Sequence, residues 1–161
     1  VQAVMKEYHH YLVRLAFRLF GNEEDAADAV QQMYIRLLYG KWDYKGNSSL
    51  KTYLASIVIN ICRDALRKKK RREHLIEKWS YHLEADTSCG IEESMQRSMV
   101  RKCLFKIPLQ FRIPLQLCEW EGMKYEEIAS VLHIPLNTVR TRIARGRKKI
   151  GELLAASGGN I

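Results

Sequence analysis

Hydrophobic residues recur at a helical period along most of the chain, and turn residues separate the periodic stretches. From Met5 to Phe20, the 3.6-residue spacing predicts an amphipathic helix that ends at Gly21. A second helix is predicted from Glu23, because Asn22 suits an N-cap and acidic residues favour the positive end of a helix. Its apolar positions are Ala26, Ala29, Val30, Met33, Ile35, Leu37 and Leu38, and its polar face carries Asp28, Gln31, Gln32 and Arg36.

A third helix is predicted after Ser48 or Ser49, either of which can supply the N-cap. A broad apolar stripe runs from Leu50 to Leu66, and the helix then finishes in six consecutive positive charges, Arg67 to Arg72. Like charges at this density repel one another, and the helix dipole explains only about two or three of them. We therefore expect this basic run to bind a polyanion.

The loop between the second and third helices interleaves aromatic residues with lysines. Trp42 and Tyr44 stand beside Lys41 and Lys45 in a turn-rich segment. Aromatic rings can stack on unpaired bases while lysines bind phosphates, which is the pattern of single-stranded nucleic acid binding. The same rings would equally serve to anchor the loop to the core, and the sequence pattern alone leaves both interpretations open.

The character of the chain changes after Arg72. Acidic and turn residues accumulate up to about residue 94, which indicates a linker with some helical content. Helical periodicity returns from about Ile91 to Ile107, where Pro108 stops it, and a short helix follows from Phe111 to Trp120. With no strand pattern of any length, the sequence predicts an all-α fold of two small helical domains. The predicted bounds are 1–73 for the first domain, 74–94 for the linker and 95–161 for the second.

The stretch from Tyr125 to Lys149 has the pattern of a helix-turn-helix. Apolar residues at helical spacing are interrupted at residues 133–135 and then resume. His133 stands where the turn needs a positive φ, which His tolerates better than most residues, and Pro135 suits the first turn of the second helix. The polar face of that second helix, which a recognition helix presents to the major groove, carries Asn137, Arg140, Thr141 and Arg145, with Arg142, Arg147, Lys148 and Lys149 flanking it for phosphates.

Composition narrows the class of function. The chain has 161 residues, 47% of them hydrophobic, and a formal net charge of +9, which indicates a polyanionic partner such as nucleic acid or an anionic membrane surface. No apolar run is long enough to span a membrane and no leader opens the chain, so we expect a cytoplasmic protein. A start at Val1 suggests that a few residues precede it. The absence of a phosphate loop, a nucleophile–base pair or a metal-ligand spacing predicts no enzymatic activity, cofactor or metal.

The cysteines and the adjacent histidines favour packing roles. The four cysteines are Cys62, Cys89, Cys103 and Cys118, far apart and without a metal-ligand pattern. All except Cys89 stand in apolar helical stretches and are expected to be buried reduced thiols, so Cys89 is the one candidate for a redox role. His9 and His10 point about 100° apart on a helix, so we expect surface or packing residues and no shared metal ion.

The order of these motifs resembles that of bacterial RNA polymerase sigma factors of the extracytoplasmic-function class. Their second conserved region is similar to DAADAVQQMYIRLL (Asp25–Leu38) and, after the aromatic loop, to SSLKTYLASIVINICRDALRKKKRR (Ser48–Arg72). Their fourth region resembles IPLQFRIPLQLCEWEGMKYEEIASVLHIPLNTVRTRIARGRKKI (Ile107–Ile150). The resemblance covers most of the chain, and the two blocks stand in the family's order with a short linker between them.

The resemblance implies a dissociable RNA polymerase subunit that selects promoters and does not itself catalyse bond formation. It implies that the fourth region reads the −35 element, that the second captures an unpaired −10 base and docks on core polymerase, and that an anti-sigma factor masks these surfaces. The implied −35 residues are Asn137, Thr138, Arg140, Thr141, Arg142 and Arg145. The implied −10 residues are Tyr44, Lys45, Gly46, Asn47, Ser48, Asn60, Arg63 and Arg67. The implied polymerase-binding residues are Asp25, Asp28, Gln31 and Gln32.

Three residues depart from the family's usual pattern. Gln32 stands where an acid is usual, Tyr53 where tryptophan is common, and His133 where glycine is typical. Gln32 weakens the electrostatic part of polymerase docking, and Tyr53 preserves an aromatic packing role. His133 is expected to strain or tune the turn.

A stand-alone helix-turn-helix repressor or activator is the alternative that the recognition helix would also satisfy. Such proteins usually dimerise, so that two recognition helices reach half-sites about one DNA turn apart. The aromatic loop and the Arg67–Arg72 run would be surplus in such a regulator. A basic hairpin that merely solvates its charges is the third possibility, and the agreement of periodicity, break and basic face counts against it.

Overall fold

The computed structural model describes residues 2–40, 44–77 and 95–158, and all regular structure in these ranges is helical. The chain forms two compact units, one within residues 1–89 and the other within residues 90–161. This architecture confirms the predicted all-α fold of two helical domains. The helices are α1 Gln2–Phe20, α2 Glu23–Tyr39, α3 Leu50–Glu77, α4 Met95–Lys106, α5 Leu109–Glu119, α6 Tyr125–Leu132 and α7 Leu136–Gly158.

The first unit packs α1, α2 and α3 against one another. The predicted caps begin two of these helices. Asn22 Oδ1 accepts the backbone N–H of Asp25 at 2.8 Å at the start of α2, and Ser49 Oγ accepts the backbone N–H of Thr52 at 3.1 Å at the start of α3. The largest buried side chains of this unit are Leu12, Leu15, Leu19, Met33, Leu54 and Ile59.

The apolar face of α2 differs from the prediction. Ile35 and Leu38, predicted as apolar core positions, are 48% and 59% exposed, and Tyr34 is buried. Tyr34 follows Val30 by four residues and shares its buried stripe, whereas Ile35 and Leu38 follow Gln31 by four and seven residues and share its exposed stripe. The helical period therefore overrides the hydrophobicity of these two side chains.

Helix α3 spans 28 residues and continues to Glu77, beyond the predicted domain end at residue 73. It buries residues as far as Leu66, and every side chain from Arg67 to Leu75 is exposed. At about 1.5 Å per residue, the stretch from Arg67 to Glu77 extends roughly 16 Å. The basic run thus lies on an exposed end of a helix whose other end is part of the core.

Helix α5 is the centre of the second unit and packs against α6 and α7. All its residues from Phe111 to Leu117 are buried, including the polar Arg112 and Gln116. The Arg112 guanidinium lies 4.4 Å from the centre of the Phe105 ring, and burial lowers the pKa of Arg112 to about 10. Polar residues are normally expected on the exposed face of a helix, so sequence patterning did not identify these two polar core residues.

A close contact between α5 and α7 fixes the position of the second helix of the helix-turn-helix. A Cβ atom at Gly146 would lie 3.2 Å from the carbonyl oxygen of Phe111 and 3.3 Å from Cδ2 of Leu115. Only a residue without a side chain fits here without displacement of a neighbour. Gly146 therefore lets α7 approach the backbone of α5.

The cysteine predictions hold for two of the three residues that the structure describes. Cys62 and Cys103 are buried, and burial raises the pKa of the Cys62 thiol. Cys118 is partly exposed, because it lies at the C-terminal end of α5, where burial ends. The predictions for Lys41, Trp42, Cys89 and residues 78–94 lie outside the described residues. None of the described helices is long and apolar enough to cross a membrane.

Candidate nucleic-acid interface

The turn between α6 and α7 has the positive φ that the sequence predicted at its first residue. His133 has a left-handed backbone with φ of 53° and ψ of 47°. Its N–H donates to Ser130 O at 3.3 Å, and the N–H of Ile134 donates to Ala129 O at 3.1 Å, which is the Schellman pattern of a helix C-terminus. Helix α7 begins at Leu136, and Pro135 precedes it instead of forming its first turn. The turn sets the direction in which α7 leaves α6.

Helix α7 separates its apolar and polar residues as predicted. Val139, Ile143 and Gly146 are buried, at the four- and three-residue spacing of one helix face. The predicted −35 residues lie away from that face: Asn137, Arg140, Thr141 and Arg145 are exposed, and Thr138 and Arg142 are half-buried. The side chains with hydrogen-bonding groups are therefore available on the surface of the second unit.

An open groove lies between α7 and the first turn of α5. Five of the six predicted −35 residues line it together with α5, the exception being Arg140. The lining residues are Gln110, Phe111, Asn137, Thr138, Thr141, Arg142 and Arg145. Arg140 Nη1 donates instead to Asn137 Oδ1 at 3.4 Å, and Thr141 Oγ1 donates to Asn137 O at 2.9 Å. The groove brings two arginines and four smaller polar side chains together, and sequence patterning had not included one of the four, Gln110.

Arg147 does not lie with these residues, although the sequence placed it among the phosphate-binding flanks. Its Nη2 and Nε lie 2.7 and 3.0 Å from Oε1 of Glu119 at the end of α5. This hydrogen bond raises the pKa of Arg147. The helical period directs Arg147 toward α5, where the carboxylate of Glu119 neutralises its charge. Arg147 is therefore paired within the second unit.

Tyr44 anchors the described part of the aromatic loop to α3. Its ring centre lies 5.2 Å from that of Tyr53 on α3, and its hydroxyl donates to Ser48 O at 2.6 Å. Tyr44 is nevertheless 38% exposed. Lys45, Gly46, Asn47 and Ser48 are exposed as well, with Gly46 at a φ of 75° that favours glycine. The ring thus both anchors the loop and leaves an accessible surface.

A polar stripe on α3 continues from the loop. At four- and three-residue intervals after Tyr53 follow Ser56, Asn60, Arg63 and Arg67, which share one helix face. Ser56 Oγ donates to Tyr53 O at 2.7 Å, and Asn60 Nδ2 donates to Ser56 O at 2.8 Å. Burial, and then repulsion by Arg67, lower the pKa of Arg63. This face, which we name the α3 stripe, brings the predicted −10 residues of the helix next to those of the loop; Ser56 was not predicted.

The predicted polymerase-binding residues share the exposed face of α2. Asp28, Gln31 and Gln32 are exposed, and Asp25 is partly exposed with its carboxylate 3.7 Å from Lys69 Nζ. The same face continues into the exposed apolar residues Ile35, Leu38 and Tyr39. A face with polar groups at one end and apolar groups at the other is typical of a protein-binding surface.

Comparisons with known proteins agree with this arrangement. The family model for sigma-70 region 2 matches residues 4–72, and the model for sigma-70 region 4 matches residues 97–150. The RNA polymerase sigma-H factor of Pseudomonas aeruginosa is 30% identical over 159 residues, which cover 92% of this chain and 82% of that protein. The ECF sigma factor SigE of Mycolicibacterium smegmatis is 31% identical over 156 residues. This chain belongs to the extracytoplasmic-function class of RNA polymerase sigma factors.

The similarity to SigE covers 94% of this chain but spans 60% of the length of SigE. A solved structure of the sigma factor RpoE from Bartonella quintana, in complex with the anti-sigma factor NepR, has a TM-score of 0.73 to this chain. The structural match covers 96% of this chain and 98% of the RpoE chain, and the two sequences are 22% identical. At that sequence identity the structural similarity establishes the sigma factor fold, and it does not assign roles to individual residues.

Proposed function

We propose that this chain selects promoters as a dissociable subunit of RNA polymerase and assists strand opening without catalysing bond formation itself. One observation carries the proposal: the two units present different candidate surfaces for DNA, a helix-turn-helix on one and an aromatic loop beside the α3 stripe on the other. A helix-turn-helix suffices to occupy duplex DNA. The loop and stripe add what strand opening requires, since an unstacked base needs an alternative partner.

The second unit would read the −35 element through α7. Arg140 and Arg145 can pair bidentately with guanine O6 and N7, and Thr141 can contact a thymine methyl group. Asn137, Thr138 and Arg142 lie beside them at the groove with α5 and would bind bases or phosphates. The exposure of Asn137, Arg140, Thr141 and Arg145 supports the assignment.

The first unit would hold an unpaired −10 base of the non-template strand. Lys45, Gly46, Asn47 and Ser48 are accessible on the loop that Tyr44 closes against Tyr53. Asn60, Arg63 and Arg67 extend the same surface along α3 and would bind the adjoining nucleotides. Phosphate contacts position the strand, and the amide of Asn47 provides hydrogen bonds to a base edge.

The exposed face of α2 would dock on core RNA polymerase. Asp25 and Asp28 supply charge, Gln31 and Gln32 supply hydrogen bonds, and the apolar end of the face supplies buried area. The amide at Gln32 can accept a hydrogen bond through its carbonyl oxygen, as an acid does, but it also donates through its NH2 group and carries no charge. Docking is therefore expected to depend less on salt than it would with a carboxylate at this position.

An anti-sigma factor is the proposed regulatory partner. The Bartonella quintana RpoE structure contains a sigma factor bound to its anti-sigma factor NepR, and this chain shares that fold. A protein that covers the exposed face of α2 or the polar face of α7 would block polymerase or DNA binding. Regulation by masking fits a chain whose proposed binding residues are accessible on the surfaces of helices.

The test separates promoter selection from strand opening. Run-off transcription with core RNA polymerase and a promoter library should yield transcripts that depend on added protein, whereas a stand-alone regulator would give none. Arg140→Ala should then weaken binding to −35 duplex DNA. Asn47→Ala should leave that binding unchanged and reduce permanganate reactivity of the opened −10 segment. If no transcript depended on the added protein, the proposal would be wrong.

A further inference from the structure

The start of α3 carries a lysine that the proposed −10 site does not include. Lys51 is the second residue of α3, its side chain is exposed, and its ammonium lies 4.3 Å from the centre of the Tyr11 ring on α1. The positive end of the helix dipole disfavours a lysine in the first turn, so helix stability does not account for this position. The ring is uncharged, so Lys51 keeps its positive charge, unlike Lys69, whose ammonium pairs with Asp25.

The face of α1 that holds Lys51 also adjoins the aromatic loop. Tyr8 and Tyr11 are three residues apart and share one face of α1. The side chain of Glu7 raises the pKa of Tyr8 most, and partial burial and repulsion by the charge of Tyr44 raise it further. The phenols of Tyr8 and Tyr44 are therefore near enough to interact. One face of α1 thus meets both the loop and the start of α3.

Lys51 and the α3 stripe lie on opposite sides of α3. At about 100° per residue, Lys51 and Tyr53 are about 160° apart around the helix axis. Asn47 on the loop is four residues before Lys51, so their Cα atoms are at most about 14 Å apart. A DNA strand whose base is held at the loop can therefore contact the α3 stripe on one side of that base and Lys51 on the other.

We propose that Lys51 binds a phosphate of the unpaired −10 strand, next to the nucleotide whose base the loop captures, and that Tyr11 is a positioning residue for its ammonium. This rests on the proposed function, because it takes the loop as the −10 site. Aromatic rings beside cations that follow the backbone are the pattern of single-stranded DNA binding. Sequence patterning did not identify the pair, because Tyr11 and Lys51 are distant in sequence.

A DNA phosphate suits Lys51 better than a carboxylate of a protein partner. An ammonium can donate to either group, so its surroundings decide between them. Lys45, Asn47 and Ser48 on the adjoining loop are exposed and polar, whereas a protein interface has an apolar centre. The exposed apolar residues described above lie on α2 instead. The position of Lys51 therefore matches the backbone of the strand that the loop would hold.

The test uses holoenzyme and a single-stranded non-template oligonucleotide that spans the −10 segment of a promoter found by run-off transcription. Lys51→Gln should lower the slope of log affinity against log salt by about 0.7, which corresponds to one phosphate contact of a single strand. Lys6→Gln removes the same charge from an exposed position about 140° from Tyr11 on α1 and should leave the slope unchanged. Tyr11→Leu should weaken binding, whereas Tyr11→Phe, which keeps the ring, should not.

Neutral methylphosphonate linkages, placed one at a time along the oligonucleotide, identify the phosphate. One linkage beside the captured nucleotide should weaken binding of the wild type and should not weaken binding of Lys51→Gln any further. Tyr11→Leu should lose its response to the same linkage. A ring that only stabilises the packing of α1 would lower the affinity and leave the response to each linkage unchanged. Thermal unfolding of each variant checks that the first unit is intact.

Three results would overturn the inference: equal salt slopes for Lys51→Gln and Lys6→Gln, a Lys51→Gln variant that still responds to every linkage that affects the wild type, or a Lys51→Gln defect in binding core polymerase without DNA, which would assign Lys51 to a protein partner. Asn47→Ala on the same oligonucleotide tests the −10 loop by itself. If Asn47→Ala is impaired while Lys51→Gln matches Lys6→Gln, this inference fails and the proposed function stands. If wild-type holoenzyme has no affinity for the oligonucleotide, the proposed function fails as well.

Discussion

The ammonium of Lys69 lies 3.7 Å from Oδ2 of Asp25. The contact joins the exposed end of α3 to the start of α2, so a residue of the basic run neutralises a residue of the proposed polymerase-binding face. The side chains are 57% and 40% exposed, and a pair with this exposure contributes about 1 kcal/mol at most. Lys69 and core RNA polymerase are therefore expected to compete for Asp25, because a polymerase group that binds this carboxylate has to displace Lys69.

Lys69→Met should therefore raise the affinity for core RNA polymerase by up to about fivefold, the equivalent of about 1 kcal/mol. The free energy of unfolding should fall by less than about 1 kcal/mol, because the pair is largely solvated. Titration of labelled protein with core polymerase measures the first effect and urea unfolding the second. Lys68→Met removes the same charge from another face and is the matched control. Weaker polymerase binding by Lys69→Met than by Lys68→Met would contradict the competition.

Two glycines of α7 should respond differently to alanine. An added methyl group at Gly151 meets no atom within 4 Å, so Gly151→Ala should stabilise the second unit by roughly 0.5–1 kcal/mol through helix propensity. At Gly146 the methyl group would lie 3.2 Å from Phe111 O, so that gain should be cancelled or reversed. Gly146→Val should cost about 1–3 kcal/mol through overpacking. Chemical denaturation of the variants gives the comparison, and equal stabilisation by the two alanines would show that the α5–α7 contact is loose.

Sequence patterning predicted the elements whose residues alternate between core and solvent. It placed the α7 polar face and the left-handed His133 correctly, because a periodic helix and a short turn carry local signals. It failed where tertiary packing decides: Arg112 is buried in the stretch Phe111–Leu117, in which every residue is buried, and Ile35 is 48% exposed although it is apolar. The pairing of Arg147 with Glu119 also joins residues distant in sequence.

His133→Gly should stabilise the helix-turn-helix. A left-handed backbone costs an L-residue about 1–2 kcal/mol, and part of this gain is offset by the greater chain entropy of glycine, so we expect about 0.5–1 kcal/mol in urea unfolding. His133→Val should destabilise, because a β-branched residue is poorly tolerated there. Ser130→Gly, within α6, should lose roughly 0.5 kcal/mol and controls for the general effect of glycine. Destabilisation by His133→Gly would show that the imidazole makes a stabilising contact.

Thiol reactivity should follow burial. The pKa of Cys62 is raised by burial, so its thiolate fraction in the folded protein at pH 8 is smaller than in the unfolded chain. Cys118 is partly exposed at the end of α5. In a Cys89→Ser background, maleimide at pH 8 should label Cys118 first, and label Cys62 and Cys103 only after denaturation. Mass spectrometry of the digested protein locates the label, and rapid labelling of Cys62 would contradict the packing of the first unit.

Tyr44 decides between the two roles considered for the aromatic loop. Its ring packs on Tyr53 and its hydroxyl bonds to Ser48, yet part of the ring is accessible. Tyr44→Phe loses one hydrogen bond, worth about 1 kcal/mol, so promoter opening should weaken by about fivefold. Tyr44→Ala also loses the ring; if a base stacks on it, opening should weaken by a further tenfold or so, since such stacking contributes roughly 1–3 kcal/mol.

Open-complex formation by holoenzyme, followed through a 2-aminopurine in the −10 segment, distinguishes these outcomes for Tyr44. Binding to −35 duplex DNA is the control, and it should be the same for both variants because α7 lies in the other unit. If Tyr44→Phe and Tyr44→Ala were equally impaired, only the hydroxyl would matter, and the ring would contribute neither an anchor nor a contact for DNA. A larger defect in Tyr44→Ala that persists when the folded stabilities are matched would identify the exposed ring surface as a contact for DNA.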